Sequence, residues 1–214
     1  MKLIQLGAAA LITLSSLTAQ AGLLLDGTGA TVNIVSPNNE FKRLNNVTAP
    51  TFNVGGNLLS DYASPFTLEF SYLGMEASYR NKFEIGSNMI NNYGATTSFQ
   101  VTYGAGDDIE FSFSTAALPA ATRTVVNGGN NAGDLTVSFA TLLAGQFNLI
   151  DYDAILFFDD TGGRWTDQFG VVHDDDNHDD LAIGVRVVQV PESSTLVLMM
   201  MGLLGLFGAR RLKS

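Results

Sequence analysis

The chain has no cysteine, only two histidines and a single tryptophan among its 214 residues. The absence of cysteine excludes thiol catalysis, cysteine-ligated zinc, thiol-based redox chemistry and disulfide cross-links. The sequence also has no Gly-x-Ser-x-Gly, no His-Glu-x-x-His and no phosphate-binding loop, so the common motifs of hydrolases, zinc proteases and nucleotide-binding proteins are missing. His173 and His178 are the only imidazoles available for acid–base chemistry or metal binding.

Basic residues are also scarce. Between Gly22 and Val190 the sequence has 20 acidic and 7 basic residues, which gives this span a formal charge of −13. A field of this sign repels nucleic acid and anionic headgroups and attracts divalent cations. We therefore expect no nucleic-acid partner, and we expect the span to form a single domain because its length suffices for one proper core.

Residues 1–21 predict a secretory signal peptide. They combine a basic start at Lys2, a short apolar stretch and small residues at Ala19 and Ala21, which is the pattern that signal peptidase cleaves. An uncleaved first helix is the alternative, but polar residues interrupt the stretch and it is shorter than a membrane span requires. We expect export through the Sec translocon and cleavage by signal peptidase after Ala21.

Residues 190–214 have three parts in order. A short polar turn of Pro191, Glu192 and Ser193 comes first, an uncharged apolar run follows, and a basic tip with Arg210 and Arg211 ends the chain. As a helix the apolar run is roughly 22 Å long, slightly short for a bilayer core. Basic residues beside a membrane helix stay on the cytoplasmic side, so the preceding domain is predicted to lie on the opposite side.

This order of Pro-Glu, apolar helix and arginine cluster resembles the PEP-CTERM sorting tail of exported proteins of Gram-negative bacteria. Pro191 and Glu192 match the motif and Arg210 and Arg211 match its basic end, whereas Ser193 stands where the family usually has a second proline. The resemblance implies processing by an exosortase, a membrane cysteine protease that cuts at the motif and releases or transfers the passenger to the surface, often beside exopolysaccharide. An ordinary C-terminal membrane anchor is the alternative.

Residues 22–189 predict an all-β passenger domain. Short runs that alternate apolar and polar residues are separated by turn residues, and amphipathic helical periods are nearly absent. We expect an antiparallel two-sheet sandwich with a jelly-roll or immunoglobulin-like outline. The apolar run Ala154–Phe158 predicts a central strand, and the runs Ser98–Tyr103 and Ile109–Phe113 predict a hairpin.

Ten aspartates and no glutamate lie between Asp151 and Asp180. Their densest part, HDDDNHDD, is predicted to be a loop or strand rim before the last strand. Carboxylates one residue apart can converge on one cation, which predicts a calcium site with the candidate ligands Asp174, Asp175, Asp176, Asn177, Asp179 and Asp180. A solvated acidic loop without metal is the alternative, and a transition-metal site with His173 and His178 is a third interpretation.

The sequence indicates where the protein is sorted more plainly than which activity it has. We expect a non-enzymatic, exported structural protein of the cell surface or extracellular matrix, associated with exopolysaccharide or a biofilm and anchored in the inner membrane by its C-terminal helix before processing. The alternative is a calcium-assisted carbohydrate-binding module. In that case Trp165 would supply a sugar-stacking surface near the aspartates, although a core position is the ordinary one for tryptophan.

Overall fold

A computed structural model gives the structure of the chain. It describes residues 22–26, 30–33, 51–54, 56–77, 79–116, 123–129, 137–160, 164–166, 169, 172–174, 178–189 and 201–202. The predicted signal peptide, residues 1–21, lies outside the described residues. So does nearly all of the predicted tail, of which only Met201 and Gly202 are described, both of them helical.

In this part of the chain the ordered structure consists almost entirely of antiparallel strands, which confirms the predicted all-β class. Numbered in chain order, the strands are β1 (Leu23–Leu25), β2 (Ala30–Asn33), β3 (Thr51–Val54), β4 (Leu58–Ser60), β5 (Phe66–Gly74), β6 (Arg80–Ile85), β7 (Asn88–Asn91), β8 (Ser98–Tyr103), β9 (Ser112–Ala116), β10 (Arg123–Val126), β11 (Ser138–Leu143), β12 (Gln146–Phe147), β13 (Ile150–Asp151), β14 (Ala154–Asp159), β15 (Arg164–Thr166), β16 (Val172–Asp174) and β17 (Leu181–Gln189).

Two sheets enclose a shared aromatic core. The larger has seven strands in the order β2-β3-β11-β14-β17-β5-β8, and the smaller has four in the order β10-β9-β6-β7. Phe70 of β5 contacts Phe83 of β6 with ring centroids 5.3 Å apart, and Phe158 of β14 stacks on Phe113 of β9 at 5.0 Å. The two antiparallel layers therefore pack on each other, whereas the likeness to a jelly roll or an immunoglobulin domain stays a prediction.

Strand β14 lies in the middle of the larger sheet, between β11 and β17, as its apolar sequence predicts. All six of its residues are buried. Leu156 and Phe158 belong to the core between the sheets, while Ile155 and Phe157 belong to a second apolar cluster on the other face. Phe147 of the β12–β13 hairpin is part of this second cluster. The hairpin thus covers the outer face of the sheet, which explains why β14 has no polar alternation.

The predicted hairpin of Ser98–Tyr103 with Ile109–Phe113 is wrong. Strand β8 pairs with β5 at the edge of the larger sheet, whereas β9 starts at Ser112 and pairs with β6 and β10 in the smaller one. Ile109 and Phe111 are buried on the connection between them. Burying two such side chains stabilises the fold by about 1.5–3 kcal/mol each, which favours a crossing between the sheets over a local hairpin.

The antiparallel register gives the larger sheet two distinct ends. At one end β11 begins at Ser138 opposite Asp159, the last residue of β14, and β17 begins nearby at Leu181. At the other end β11 finishes at Leu143 opposite Ala154, the first residue of β14. We call the first the acidic end and the second the cleft end, after the features described below.

Candidate functional site

Four aspartates are buried at the acidic end. Asp159 and Asp160 end β14 and its extension, with 0% and 2% of their surface exposed, and Asp179 and Asp180 precede β17 with 1% and 7% exposed. Phe158 lies opposite Leu181 in the ladder between β14 and β17, so the two Asp-Asp pairs meet at one edge of the sheet. Burying an ionised carboxylate costs several kcal/mol unless a partner compensates it.

Hydrogen bonds tie these segments to one another and to the smaller sheet. The Asp160 backbone N–H donates to Asp180 Oδ2 at 2.7 Å, and the Asp180 backbone N–H donates to the Phe158 carbonyl at 3.1 Å. Asn81 of β6 is fully buried and donates from Nδ2 to Asp160 Oδ2 at 2.6 Å and to the Asp180 carbonyl at 3.4 Å. The acidic end therefore depends on both sheets.

The environment favours the neutral form of one of these carboxyls. Burial raises the pKa of Asp180 to about 9, the neighbouring charges of Asp160, Asp159 and Asp179 act in the same direction, and the hydrogen bond from the Asp160 backbone opposes them. At neutral pH and without a cation, Asp180 therefore keeps a proton that an exposed aspartate would release.

His178 connects the cluster to β11. It is buried, its backbone φ is +55°, and its Nε2 lies 3.1 Å from Ser138 Oγ while its Nδ1 lies 3.9 Å from Asp159 Oδ2. This order of serine, imidazole and carboxylate is that of a catalytic triad. However, Ser138, His178 and Asp159 are each more than nine-tenths buried, and 3.9 Å exceeds a hydrogen bond. Through these contacts His178 links β11 with the start of β17.

The predicted calcium ligands divide into two groups. Asp179 and Asp180 are at the acidic end, where both side chains are buried. Asp175, Asp176 and Asn177 lie outside the described residues, and Asp174 is described only as the backbone end of β16. Across the part of the chain that is described, no three His, Asp or Glu side chains are arranged to hold a metal ion. The calcium ligands stay a prediction.

Trp165, the predicted sugar-stacking residue, lies on β15. Its backbone pairs with His173 of β16 in a small two-stranded ladder that belongs to neither large sheet. The ladder interrupts the connection between the two Asp-Asp pairs, since β15 and β16 follow β14 and precede β17. Only the backbone of Trp165 is described, so its stacking role stays a prediction.

The cleft end contains an open cavity of about 840 Å³. Its lining combines apolar, aromatic and charged groups, among them Leu23, Tyr62, Asp151, Tyr152, Asp153 and Arg186. Burial raises the pKa of both tyrosine hydroxyls, so these remain neutral hydrogen-bond donors at physiological pH. The Val187 backbone N–H donates to Asp153 Oδ2 at 2.7 Å, which fixes this carboxylate at the cleft.

Costly backbone conformations are found beside the cleft. Ala144, which lines it, has a φ of +52°, and Asn148 and Leu149 at the turn between β12 and β13 have φ values of +49° and +66°. Two successive positive φ angles are typical of a type I′ hairpin turn, which favours Asn-Gly over Asn-Leu. Leu149 is also 89% exposed. This tip is therefore held against the intrinsic preference of its sequence.

Comparison with known families identifies the C-terminal segment. Residues 189–211 match the model of the PEP-CTERM protein-sorting motif, and this span includes all five predicted sorting residues, Pro191, Glu192, Ser193, Arg210 and Arg211. The match confirms the predicted sorting tail. The chain thus carries the signal of an exported protein that is anchored at the membrane before an exosortase processes it. No curated protein and no solved structure matches the chain.

The predicted membrane helix of the tail falls almost entirely outside the described residues. Among the residues that are described, no helix combines the length and the apolar character needed to cross a membrane. Met201 and Gly202, the described part of the tail, are both exposed.

Proposed function

We propose that this chain is an exported structural protein of the cell surface or extracellular matrix, associated with exopolysaccharide or a biofilm and without catalytic activity. The observation that carries the proposal is the match of residues 189–211 to the sorting motif. A passenger that is separated from its membrane helix at this motif is free to leave the inner membrane, which a permanently anchored protein is not.

The position of the motif relative to the fold supports processing. Strand β17 ends at Gln189, and Pro191 and Glu192 follow within three residues. Because β17 lies between β14 and β5 in the larger sheet, it is a central strand, and its ladder ends at Gln189, before Pro191 and Glu192. A cut at the motif would therefore leave the folded domain intact.

The proposed route is tested by cell fractionation. We expect the full chain, produced with its exosortase, to reach the surface or medium in a form shortened at the motif. Without the exosortase, or as the double variant Pro191→Ala and Glu192→Ala, it should keep its C-terminal tail and stay in the inner membrane. Glu76→Ala, at an exposed position of the domain, is the matched control and should be processed normally. Processing that is unchanged without the exosortase would refute the route.

The proposed lack of catalysis is supported by the burial of Ser138 together with His178 and Asp159, because a nucleophile must be reached by its substrate. We expect a serine-directed fluorophosphonate probe to leave the purified chain unlabelled. Stoichiometric labelling that Ser138→Ala abolishes would show instead that the chain is a serine hydrolase.

The second candidate function is a calcium-assisted carbohydrate-binding module. It is favoured by the buried carboxylates of the acidic end, whose mutual repulsion a divalent cation would relieve. Asn81 Oδ1 is buried there and has no hydrogen-bond partner among the residues that the structure describes. A neutral amide oxygen commonly accompanies carboxylates around calcium. Because the described side chains do not by themselves form a metal site, this candidate also requires oxygens from residues 174–177.

Thermal melts with millimolar calcium and with a chelator test the metal. The module predicts a higher melting temperature with calcium, and Asp179→Asn should reduce the gain, whereas Asp107→Asn in an exposed turn should not. An identical melting temperature with calcium and with chelator removes this candidate. Binding to purified exopolysaccharide, lost in Trp165→Ala, then distinguishes a carbohydrate-binding module from a protein that only uses calcium for stability.

A further inference from the structure

Gly22 is the first residue after the predicted signal-peptide cleavage. Asp61 forms hydrogen bonds with both backbone polar groups of Gly22. Its backbone N–H donates to Asp61 Oδ1 at 2.5 Å, and its carbonyl accepts from the Asp61 backbone N–H at 3.2 Å. The nitrogen that cleavage would turn into the chain's new amino terminus therefore already faces a carboxylate.

This contact is part of a regular ladder. Strands β1 and β4 pair with Leu23 opposite Ser60 and Leu25 opposite Leu58, so Gly22 and Asp61 are the next pair in register. The other end of the same ladder is closed by the Asp26 backbone N–H, which donates to the Asn57 carbonyl at 3.2 Å. The position of Gly22 is thus set by the pairing of two strands.

We propose that Asp61 is a binding site for the α-ammonium group that removal of the signal peptide creates at Gly22. Hydrolysis of the Ala21–Gly22 peptide bond adds hydroxide to the Ala21 carbonyl carbon and a proton to the Gly22 nitrogen, which binds one further proton below its pKa. The neutral amide donor becomes a cation, and its bond to the Asp61 carboxylate becomes a charge-assisted hydrogen bond. This inference rests on the export that the proposed function requires.

The charges around Gly22 also favour an ammonium group. Gly22 lines the cleft together with Asp151, Asp153 and Arg186, so the acidic side chains there outnumber the basic one. Tyr62, which lines the same cleft, has a pKa raised by burial and by Asp153 and Asp61, and is neutral. Asp61 is the carboxylate in contact, whereas Asp153 Oδ2 already accepts from the Val187 backbone.

The effect of this ion pair should be modest because Asp61 is exposed, and water and salt screen such pairs. Its pH dependence is more specific. An amino group that gains an anionic partner has a raised pKa in the folded state, so its stabilisation is complete below the unfolded value of about 8. That stabilisation is lost as the pH rises through the folded pKa.

The test uses the full chain exported and cleaved in a Gram-negative host that lacks exosortase. We expect amino-terminal sequencing to give Gly22, and Asp61→Asn to lower the melting temperature by about 1–3 °C at pH 7 and by much less at pH 10. Asp107→Asn is the matched control, because Asp107 Oδ2 accepts from the Gly104 backbone N–H at 2.6 Å, a donor that never becomes an amine. Its effect should be equal at both pH values.

A second variant carries Gly-Ser inserted between Ala21 and Gly22, which moves the amino terminus two residues away from Asp61. In this background the effect of Asp61→Asn should lose its pH dependence. Two results would overturn the proposal separately. If the mature chain begins at Gly22 but Asp61→Asn costs the same at pH 7 and pH 10, the ion pair is refuted while the export route stands. If the chain begins elsewhere, both the cleavage position and the ion pair are wrong.

Discussion

The two ends of the larger sheet place the same residue type in opposite environments. At the acidic end, Asp159 and Asp180 are buried beside further carboxylates, whereas at the cleft end Asp151 and Asp153 are exposed. Burial favours the protonated form of Asp180 at the acidic end, whereas the two aspartate side chains of the cleft end are in contact with solvent. Composition alone therefore does not decide the environment of an aspartate, because that environment depends on how the surrounding strands pack.

The strand arrangement explains this difference. The acidic end lies where β14 and β17, two central strands of the larger sheet, meet Asn81 from the smaller sheet. The cleft end lies where the β12–β13 hairpin leaves the sheet, next to an open cavity, and Ala144, Asn148 and Leu149 have positive φ angles there. One end is therefore closed by the second layer, while the other remains accessible.

The largest expected effect is the loss of a donor to a buried carboxylate. Asn81→Ala removes the hydrogen bond to Asp160 Oδ2 and should lower the free energy of unfolding by about 3 kcal/mol. Gln146→Ala is the matched change at the cleft end, because Gln146 Nε2 donates to the exposed Asp151 at 2.8 Å. It should cost less than about 1 kcal/mol. Equal losses in urea denaturation would contradict the proposed difference between the ends.

Neutralising a carboxyl at the acidic end should increase the stability of the folded protein, by an amount that depends on pH. Because the folded pKa of Asp180 is raised to about 9, the wild-type chain loses stability from this group as the pH rises from about 4 towards 9. Asp180→Asn should therefore stabilise the protein by about 2 kcal/mol at pH 7 in chelator, and hardly at pH 4. Asp151→Asn at the cleft end should change stability by less than about 0.5 kcal/mol. If Asp180→Asn is less stable than the wild type at pH 7, Asp180 does not keep a proton in the folded protein at that pH.

The cleft end can be perturbed through Gly184 of β17. A Cβ atom at this position would clash with the Tyr152 ring, because it would lie closer to three ring carbons than van der Waals contact allows. Gly184→Ala should therefore displace the ring and cost about 1.5 kcal/mol. Chemical denaturation of Gly184→Ala in the wild-type and Tyr152→Leu backgrounds measures the coupling. The loss of stability caused by Gly184→Ala should be smaller in the Tyr152→Leu background. An equal loss in both backgrounds would show that the loss does not come from a clash with the Tyr152 ring.

The smallest effect is expected at the hairpin tip. Leu149→Gly relieves a positive φ angle at an exposed side chain and should stabilise the protein by about 1 kcal/mol. Gly128, which has a φ of +89°, provides the reverse control. Gly128→Ala introduces the backbone strain that Leu149→Gly removes. If Leu149→Gly lowers the melting temperature, the exposed leucine contributes packing that the positive φ does not reveal.

The sequence predicted the features that depend on residues close to one another along the chain. The sorting tail is a linear signal, and residues 189–211 match it. The central position of β14 follows from a run that is apolar on both faces. The hairpin from Ser98 to Phe113 was wrong because a turn signal does not report which sheet the next strand joins. That choice depends on the burial of Ile109 and Phe111 between the layers.

The acidic end could not be predicted in full because its contacts are distant in the chain. Asn81 and Asp160 are 79 positions apart, and no local pattern marks Asn81 as a partner of the aspartates. A partial signal was present, since an Asp-Asp pair follows the apolar run of β14 and another precedes that of β17. Carboxylates adjacent to a central strand are more readily buried than those of an isolated loop.

Both sorting signals are tested most directly by the intact mass of the protein recovered from its native cell surface or medium. We predict a chain that begins at Gly22 and ends at the Pro191–Glu192 motif, without the apolar segment and its Arg210–Arg211 tip. A chain that retains residues 1–21 and residues 195–214 would contradict the assignment of both segments as sorting signals.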